Sequence, residues 1–126
     1  MLLNLSDLSS ETLQEQFVRQ VRALILSGEL TGGDELPSIR GLARDHQVSV
    51  ITVQRAYEAL ERGGLIQARR GKGFFVSPLT EAARLESALS QLDDRLEPVL
   101  EQARAEGLTA EHILRRVSTL LDSVVV

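Results

Sequence analysis

The residues best suited to chemistry lie in the stretch ARRGKGFFV, residues 68–76. Within it, three cations alternate with two glycines: Arg69, Arg70, Gly71, Lys72 and Gly73. Arginine carries a planar fork of donors that matches phosphate oxygens, and glycine lets the backbone approach a ligand closely. This spacing predicts a small loop that binds a polyanion. The alternative is a purely protective role, because charged residues also shield sheet edges from other chains.

The distribution of charge favours a polyanion partner more than the total charge does. The 126-residue chain has a net charge of −4. Residues 34–77 hold seven cations and five acids, a net +2, whereas residues 1–33 carry −2 and residues 78–126 carry −4. Regional charge attracts a polyanion more directly than the average does. The middle block is therefore the expected contact surface.

Composition excludes several classes of function. The absence of cysteine excludes disulfides, thiolate metal sites and a cysteine nucleophile. The two histidines, His46 and His112, are far apart, and the chain has no phosphate-binding loop of the nucleotide-enzyme type. We therefore expect no enzyme activity, no cofactor and no metal site. The chain shows neither a basic leader nor an apolar run of the ~18 residues that a bilayer span needs, and we expect a cytoplasmic protein that makes no membrane contact.

Three helices are predicted before the basic loop. Residues 11–27 carry one apolar stripe, and residues 28–37 are predicted to be a turn because of paired glycines and a proline. Ser38 can cap a short second helix, and Ser49 can cap a third that ends at Gly63. Two short helices joined by about three residues form a helix-turn-helix pattern.

The third predicted helix has two distinct faces. One face is apolar and is expected to be buried: Val53, Ala56, Tyr57 and Leu60. The opposite face is expected to be exposed: Ile51, Arg55, Glu58 and Arg62. Residues 65–76 then predict two short strands around a turn at Arg70–Gly73, a basic hairpin that we call the wing. The helix-turn-helix and the wing together make a winged helix.

The remainder of the chain is predicted to be helical. Residues 80–106 have a repeating apolar face in which Pro98 either kinks the helix or begins a new one, and Thr109 can cap a last helix. Two helices bury little by themselves, and their apolar face predicts a dimer interface. Its residues are Leu85, Leu89, Leu92, Leu96, Leu100, Ile113, Leu114, Val117, Leu120 and Leu121. The expected fold is mainly α with a small β-hairpin wing: a winged helix-turn-helix domain over residues 1–77 and a helical dimerisation tail over residues 78–126.

The stretch LPSIRGLARDHQVSVITVQRAYEALERGGLIQARRGKGFFV, residues 36–76, resembles the DNA-binding domain of GntR-family bacterial transcription regulators. The shared pattern is Leu-Pro-Ser, an Arg two residues later, Leu-Ala in the first helix of the motif, and Val-Ser before the second, recognition helix. It continues with Thr-Val and Arg-Ala-Tyr within that helix and a Gly-x-Gly wing. The short helical tail is similar to that of the YtrA-type subfamily, in which it is a dimerisation element.

The resemblance implies a sequence-specific regulator that binds double-stranded DNA as a homodimer on a palindromic operator. Members of this subfamily are often repressors of transporter operons, which implies repression of a transporter or neighbouring operon here. With the charge pattern, the resemblance assigns thirteen residues to DNA: Ser38, Arg40, Ser49, Val50, Ile51, Thr52, Gln54, Arg55, Arg69, Arg70, Gly71, Lys72 and Gly73. Regulation by an unknown small-molecule effector is an open hypothesis.

Alternatives remain at several positions. Val50 and Ile51 are apolar where the family often has polar or basic residues, and contact with a thymine methyl is one interpretation. For Arg55 the alternative to DNA contact is an ion pair with Glu58. For the whole chain the alternative is a winged-helix protein-interaction module without sequence-specific DNA binding. We expect such a module to lack salt-dependent DNA binding.

Overall fold

A computed structural model describes residues 1–124 and confirms a mainly helical fold with one β-hairpin. Its elements are α1 (Leu13–Leu26), α2 (Ile39–His46), α3 (Val50–Arg62), β1 (Ile66–Arg69), β2 (Gly73–Val76), α4 (Glu81–Ala105) and α5 (Ala110–Val124). The chain divides into two compact units, Met1–Leu85 and a second unit that begins at Glu86. The proposed domain boundary after residue 77 stays a prediction.

Hydroxyl side chains begin the three helices of the first unit. Thr12, Ser38 and Ser49 each accept a hydrogen bond from the backbone N–H three residues later, at 3.0 or 3.1 Å. Each bond satisfies an N–H group that has no partner inside its helix, and such caps contribute about 1 kcal/mol. The two serine caps predicted from the sequence are confirmed, and the first helix begins at Leu13 rather than at residue 11.

The core of the first unit forms around α3. Both α1 and α2 pack against this helix, and the face predicted to be buried is confirmed. The buried side chains come from every element of the unit: Phe17, Val21, Ile25, Leu36, Leu42, Ala43, Val53, Ala56, Tyr57, Leu60, Leu65, Ile66 and Val76. Full burial of such a side chain contributes about 1.5–3 kcal/mol, which makes this cluster the main source of stability for the unit.

The hairpin is extended by a segment that the sequence predicted to be only a turn. β1 and β2 pair in antiparallel register, with Ile66 opposite Val76. On the other side of β2, Glu35 bridges to Phe75, and three backbone hydrogen bonds of 2.8–2.9 Å join residues 33–36 to β2. The predicted turn is present at residues 32 and 33, but the prediction is wrong at Glu35 and Leu36, which pair with β2. Their segment is too short to show a periodicity, and its partner strand lies about forty residues later in the chain.

An extended N-terminal segment, residues 1–6, is held against α1 by two side-chain amides. Gln16 accepts from the Ser6 N–H and donates to the Ser6 carbonyl, both at 2.8 Å. Gln20 makes the same pair of bonds with Asn4 at 2.7 and 2.6 Å. The amides thus replace a neighbouring strand, and alternate side chains of the segment pack against the core: Met1, Leu3 and Leu5.

Both histidines act in hydrogen bonds within the chain, in agreement with a structural role. His46 Nε2 accepts from the Leu3 N–H at 3.1 Å, and Nδ1 lies 3.1 Å from the Leu42 carbonyl, which requires the proton on Nδ1. His112 Nδ1 accepts from the Thr109 N–H at 3.0 Å, and Thr109 Oγ1 accepts from the His112 N–H at 3.1 Å. This reciprocal pair confirms Thr109 as the cap of α5.

The second unit contains α5 and most of α4, neither of which buries a side chain. α4 continues through Pro98 to Ala105, and of the two alternatives for that proline the start of a new helix is wrong. None of the helices in residues 1–124 is long and apolar enough to cross a membrane. Over the same residues, no cluster of histidine and carboxylate side chains could hold a metal ion.

The close approach of Gly32 to Pro78 leads to a stability prediction. A Cβ atom on Gly32 would lie 2.9 Å from the Pro78 Cα and 3.2 Å from the Ser77 carbonyl oxygen. Because backbone atoms yield less readily than side chains, we expect Gly32→Ala to lower the free energy of unfolding by about 1–3 kcal/mol. Urea unfolding measures this change.

Gly63→Ala is the matched control. Gly63 has a φ of −77°, and its nearest neighbours would lie 3.5 Å from the new methyl group. We expect this variant to be as stable as the parent protein or more stable by a few tenths of a kcal/mol, because alanine restricts the unfolded chain. Equal midpoints for Gly32→Ala and the parent would contradict the close contact.

Candidate nucleic-acid interface

The thirteen residues assigned to DNA lie at three places in the first unit. Ser38 and Arg40 begin α2, residues 49–55 form the start of α3, and residues 69–73 form the end of the wing. All thirteen are exposed except Thr52, which is half-buried. Exposure leaves these side chains available to a ligand, and their role in DNA contact stays a prediction.

The start of α3 is held by a pair of hydroxyl groups. Ser49 Oγ accepts from the Thr52 N–H at 3.1 Å, and the two hydroxyl oxygens lie 2.7 Å apart. One hydroxyl proton is used in this bond, and the other remains available for a phosphate oxygen. The free N–H groups and the helix dipole make this end of α3 mildly positive, which suits an anion.

The second turn of α3 presents two polar side chains that hydrogen-bond well to bases. Gln54 Nε2 donates to Glu58 Oε1 at 3.3 Å, which occupies the carboxylate that was the alternative partner of Arg55. Within residues 1–124, no ion pair holds Arg55. Its guanidinium is therefore free to donate its fork of N–H groups to a guanine or a phosphate.

The wing tip is a tight turn built on glycine. The Lys72 N–H donates to the Arg69 carbonyl at 2.9 Å, and Gly71 has a φ of +74° at the third position of the turn. A type II turn requires positive φ at that position, which L side chains rarely adopt. Gly73 also has a positive φ, +110°, which L side chains rarely adopt. The glycines thus let the chain reverse tightly between the cations.

One cation of the wing is fixed by an aromatic ring that sequence reasoning missed. The guanidinium carbon of Arg69 lies 4.2 Å from the ring centroid of Phe75. This cation–π contact holds the arginine against β2 while leaving it exposed to solvent. Once the hairpin turn is known, the diagonal cross-strand relation between the two residues is the signal that could have found it. Arg70 and Lys72 form no ion pair within the described part of the chain.

Tyr57 joins the three places where the predicted DNA contacts lie. Its phenol donates to the Pro37 carbonyl at 2.7 Å, one residue before the Ser38 cap of α2. Its ring meets Phe74 of β2 edge to face, with centroids 4.9 Å apart. Burial raises the pKa of the Tyr57 phenol, which therefore remains protonated and able to donate. The predicted packing role of this residue is confirmed, and its hydroxyl positions α2 as well.

The hydrogen bond from Tyr57 to Pro37 can be tested directly. We expect Tyr57→Phe to keep the ring packing but leave a carbonyl without its donor, which lowers the free energy of unfolding by about 1–2 kcal/mol. Urea unfolding is the measurement. Ser27→Ala is the control: it removes two exposed hydroxyl bonds, one donated to the Leu24 carbonyl and a long one accepted from the Glu29 N–H, and should stay within about 0.5 kcal/mol of the parent. A loss no larger than that of the control would show that the phenol does not hold α2.

Comparisons with known proteins show that this chain is similar to members of one family of regulators. A family model described as bacterial regulatory proteins, gntR family, matches residues 13–76. The HTH-type transcriptional repressor YtrA of Bacillus subtilis is 30% identical over 112 residues, which cover 89% of this chain and 86% of that protein. A solved GntR family transcriptional regulator from Listeria monocytogenes is 28% identical with a TM-score of 0.75, covering 91% of this chain and 98% of that one.

A further similarity includes bound DNA. The DNA-binding domain of AraR, solved in complex with operator ORX1, is 26% identical with a TM-score of 0.51. It covers 60% of this chain and 93% of the AraR chain. The similarities to YtrA and to the Listeria regulator therefore span nearly the whole chain, whereas the one to AraR is limited to about the length of the first unit.

Proposed function

This chain belongs to the GntR family of bacterial regulatory proteins, and we propose that it represses transcription as a homodimer on a palindromic operator. The resemblance inferred from residues 36–76 is confirmed, including the similarity to YtrA-type regulators. The chain is a sequence-specific DNA-binding transcription regulator and not an enzyme. Repression is supported by the name of the Bacillus subtilis relative, which is a transcriptional repressor. Binding over a promoter would block access of the polymerase, in the cytoplasm where bacterial operators lie.

The observation that carries the homodimer is the unburied apolar surface of the second unit. Leu114 is 69% exposed, and several other apolar side chains of α4 and α5 are at least half exposed. A groove of about 660 Å³ runs between the two helices, and its apolar lining includes Leu96, Val99, Leu100, Ala103, Leu108 and Ile113. Monomeric proteins rarely expose contiguous apolar surface of this kind, which supports a second copy of the chain as its cover.

The exposure of the ten residues predicted for dimerisation supports this proposal, because none of them is buried within the chain. Seven are exposed: Leu85, Leu89, Leu92, Leu114, Val117, Leu120 and Leu121. Three are half-buried: Leu96, Leu100 and Ile113. Val99 and Leu108 are also exposed and belong to the same apolar surface, although they were not predicted. Leu85 lies in the first unit, so its assignment to the dimer interface of the second unit has the least support.

A two-fold symmetric dimer explains why a palindrome is expected. Each copy would place the N-terminal part of α3 in a major groove, with half-sites about 34 Å apart. The exposed cations of each wing would contact the neighbouring phosphates. A small-molecule effector would act by favouring one dimer geometry over another, because operator affinity depends on the separation of the two recognition helices.

The wing cations lead to a prediction on salt dependence. Selection from random double-stranded DNA should recover a palindrome. The affinity of the protein for this palindrome should fall as the salt concentration rises. Each phosphate contact by a cation contributes roughly −0.9 to the slope of log K against log salt. We expect Arg69→Ala/Arg70→Ala to reduce the magnitude of the slope by roughly 1.8 per copy of the chain, measured by fluorescence anisotropy at several salt concentrations.

Arg95→Ala/Arg104→Ala is the matched control, because it removes two exposed arginines of α4 and the same formal charge. We expect its slope to equal that of the parent protein. Recovery of no sequence motif, with weak binding that is insensitive to the wing substitutions, would favour a protein-interaction module instead.

The apolar tail leads to a prediction on assembly. We expect Leu114→Glu/Leu121→Glu to convert a dimer into a monomer, because the charges would have to be buried in the interface. Analytical ultracentrifugation measures the mass, and circular dichroism checks that helix content is kept. Operator affinity should fall by at least a hundredfold, since two half-sites are no longer bound together.

The control for assembly is Leu8→Glu, at a position that is 97% exposed in the first unit. This variant should remain dimeric and bind the operator as the parent does. A parent protein that sediments as a monomer at micromolar concentration would refute the homodimer.

A further inference from the structure

We propose that Val50 and Ile51 read thymine by its C5-methyl group, and that each operator half-site carries a thymine where the first turn of α3 meets the major groove. The inference deepens the operator binding proposed above and rests on it. It assigns a specificity to two exposed aliphatic residues at the start of the recognition helix.

The fold does not require apolar side chains at these two positions. Val50 is 46% exposed and Ile51 is 56% exposed, while the buried face of α3 is complete with Val53, Ala56, Tyr57 and Leu60. Polar residues would be as compatible with folding, because surface substitutions away from caps and networks usually change stability by less than about 0.5 kcal/mol. Two aliphatic side chains at the start of a recognition helix therefore point to an apolar group on the DNA.

The polar groups of the same turn are largely committed to each other. Ser49 and Thr52 share a hydroxyl bond of 2.7 Å, and Ser49 also caps the helix. The single remaining hydroxyl proton can serve one phosphate oxygen but cannot distinguish bases by a bidentate pattern. The first turn therefore has methyl groups as its main means of discrimination.

The arrangement of the next turn matches an A·T base pair. Successive residues of a helix are rotated by about 100°, which places Gln54 one turn after Val50 and Arg55 one turn after Ile51. The thymine methyl is the apolar group that base pairs present in the major groove, and adenine N6 and N7 lie beside it for a glutamine amide. The Gln54 bond to Glu58 is long, at 3.3 Å, and is readily exchanged for a base. Arg55 suits a neighbouring guanine.

A contact with phosphate would not explain the two aliphatic side chains. An aliphatic group against a phosphate displaces water from the anion and returns no hydrogen bond. The N-terminal residues of a recognition helix are also those that reach base edges in helix-turn-helix proteins. The chemistry of these two residues and their position in the helix thus agree.

The experiment replaces thymine by deoxyuridine, one position at a time, in the operator selected by the protein. This change removes only the methyl group and leaves every hydrogen-bonding atom of the base pair in place. We expect one or two positions per half-site at which the affinity falls about fourfold, and about fifteenfold when both half-sites are changed. Fluorescence anisotropy with the full-length protein measures the affinity.

Variants of Val50 and Ile51 identify which of the two side chains contacts the thymine methyl group. Val50→Ser and Ile51→Ser each replace a branched aliphatic side chain by a short polar one, so that no methyl group remains to meet the thymine. We expect the deoxyuridine penalty to shrink towards onefold in the variant whose contact is lost, as a double-mutant cycle requires. Leu8→Ala, a fully exposed position remote in sequence from α3, should keep the whole penalty.

The outcomes separate this inference from the function on which it rests. Tight operator binding with no deoxyuridine penalty overturns the thymine inference alone and leaves the regulator intact. A penalty that persists unchanged in both variants also overturns it, because another group must then read the methyl. Failure to select any operator sequence overturns the proposed operator and this inference together.

Discussion

The buried hydroxyl of Tyr57 is the interaction on which the arrangement of the DNA-binding unit depends. A phenol inside an apolar core is costly unless its O–H finds an acceptor, and here the acceptor is the Pro37 carbonyl at 2.7 Å. The same ring packs edge to face on Phe74 of the wing. One side chain of the recognition helix thereby positions the start of α2 and the start of β2. The three groups of residues assigned to DNA are held in register by this shared centre.

The two units of the chain differ in how much of their apolar surface is buried. The first unit buries one apolar cluster around α3 and leaves polar, cationic and a few aliphatic groups on the predicted DNA surface. In the second unit α4 and α5 bury no side chain, and Leu114 remains 69% exposed. Because exposed apolar area is unfavourable in water, the second copy of the chain proposed above would supply much of the stability of this tail. The proposals for DNA binding and for assembly thus fall on different parts of the chain.

The part of the fold that could be predicted depends on signals within a few residues of one another. The Ser38 and Ser49 caps bond to N–H groups three residues later, and the buried face of α3 follows from a period of 3.6 residues. The glycine turn of the wing is equally local, since positive φ at Gly71 is a property of the turn itself. Residues could be assigned to DNA from the sequence for the same reason, because their types and spacing form one ordered motif. That assignment stays a prediction.

By itself, the sequence determined the helices, the caps Ser38, Ser49 and Thr109, the wing and the family, because each is encoded by short-range spacing and residue type. Only the tertiary structure decided which distant groups meet. It placed residues 33–36 beside β2, clamped Ser6 with the Gln16 amide, and joined Leu3 to His46. It also set Arg69 over Phe75, so that one wing cation is held by a ring, whereas Arg70 and Lys72 form no ion pair within residues 1–124. These pairings carry no periodicity along the chain. They arise only when collapse of the core brings otherwise unsatisfied donors, acceptors and rings within contact distance.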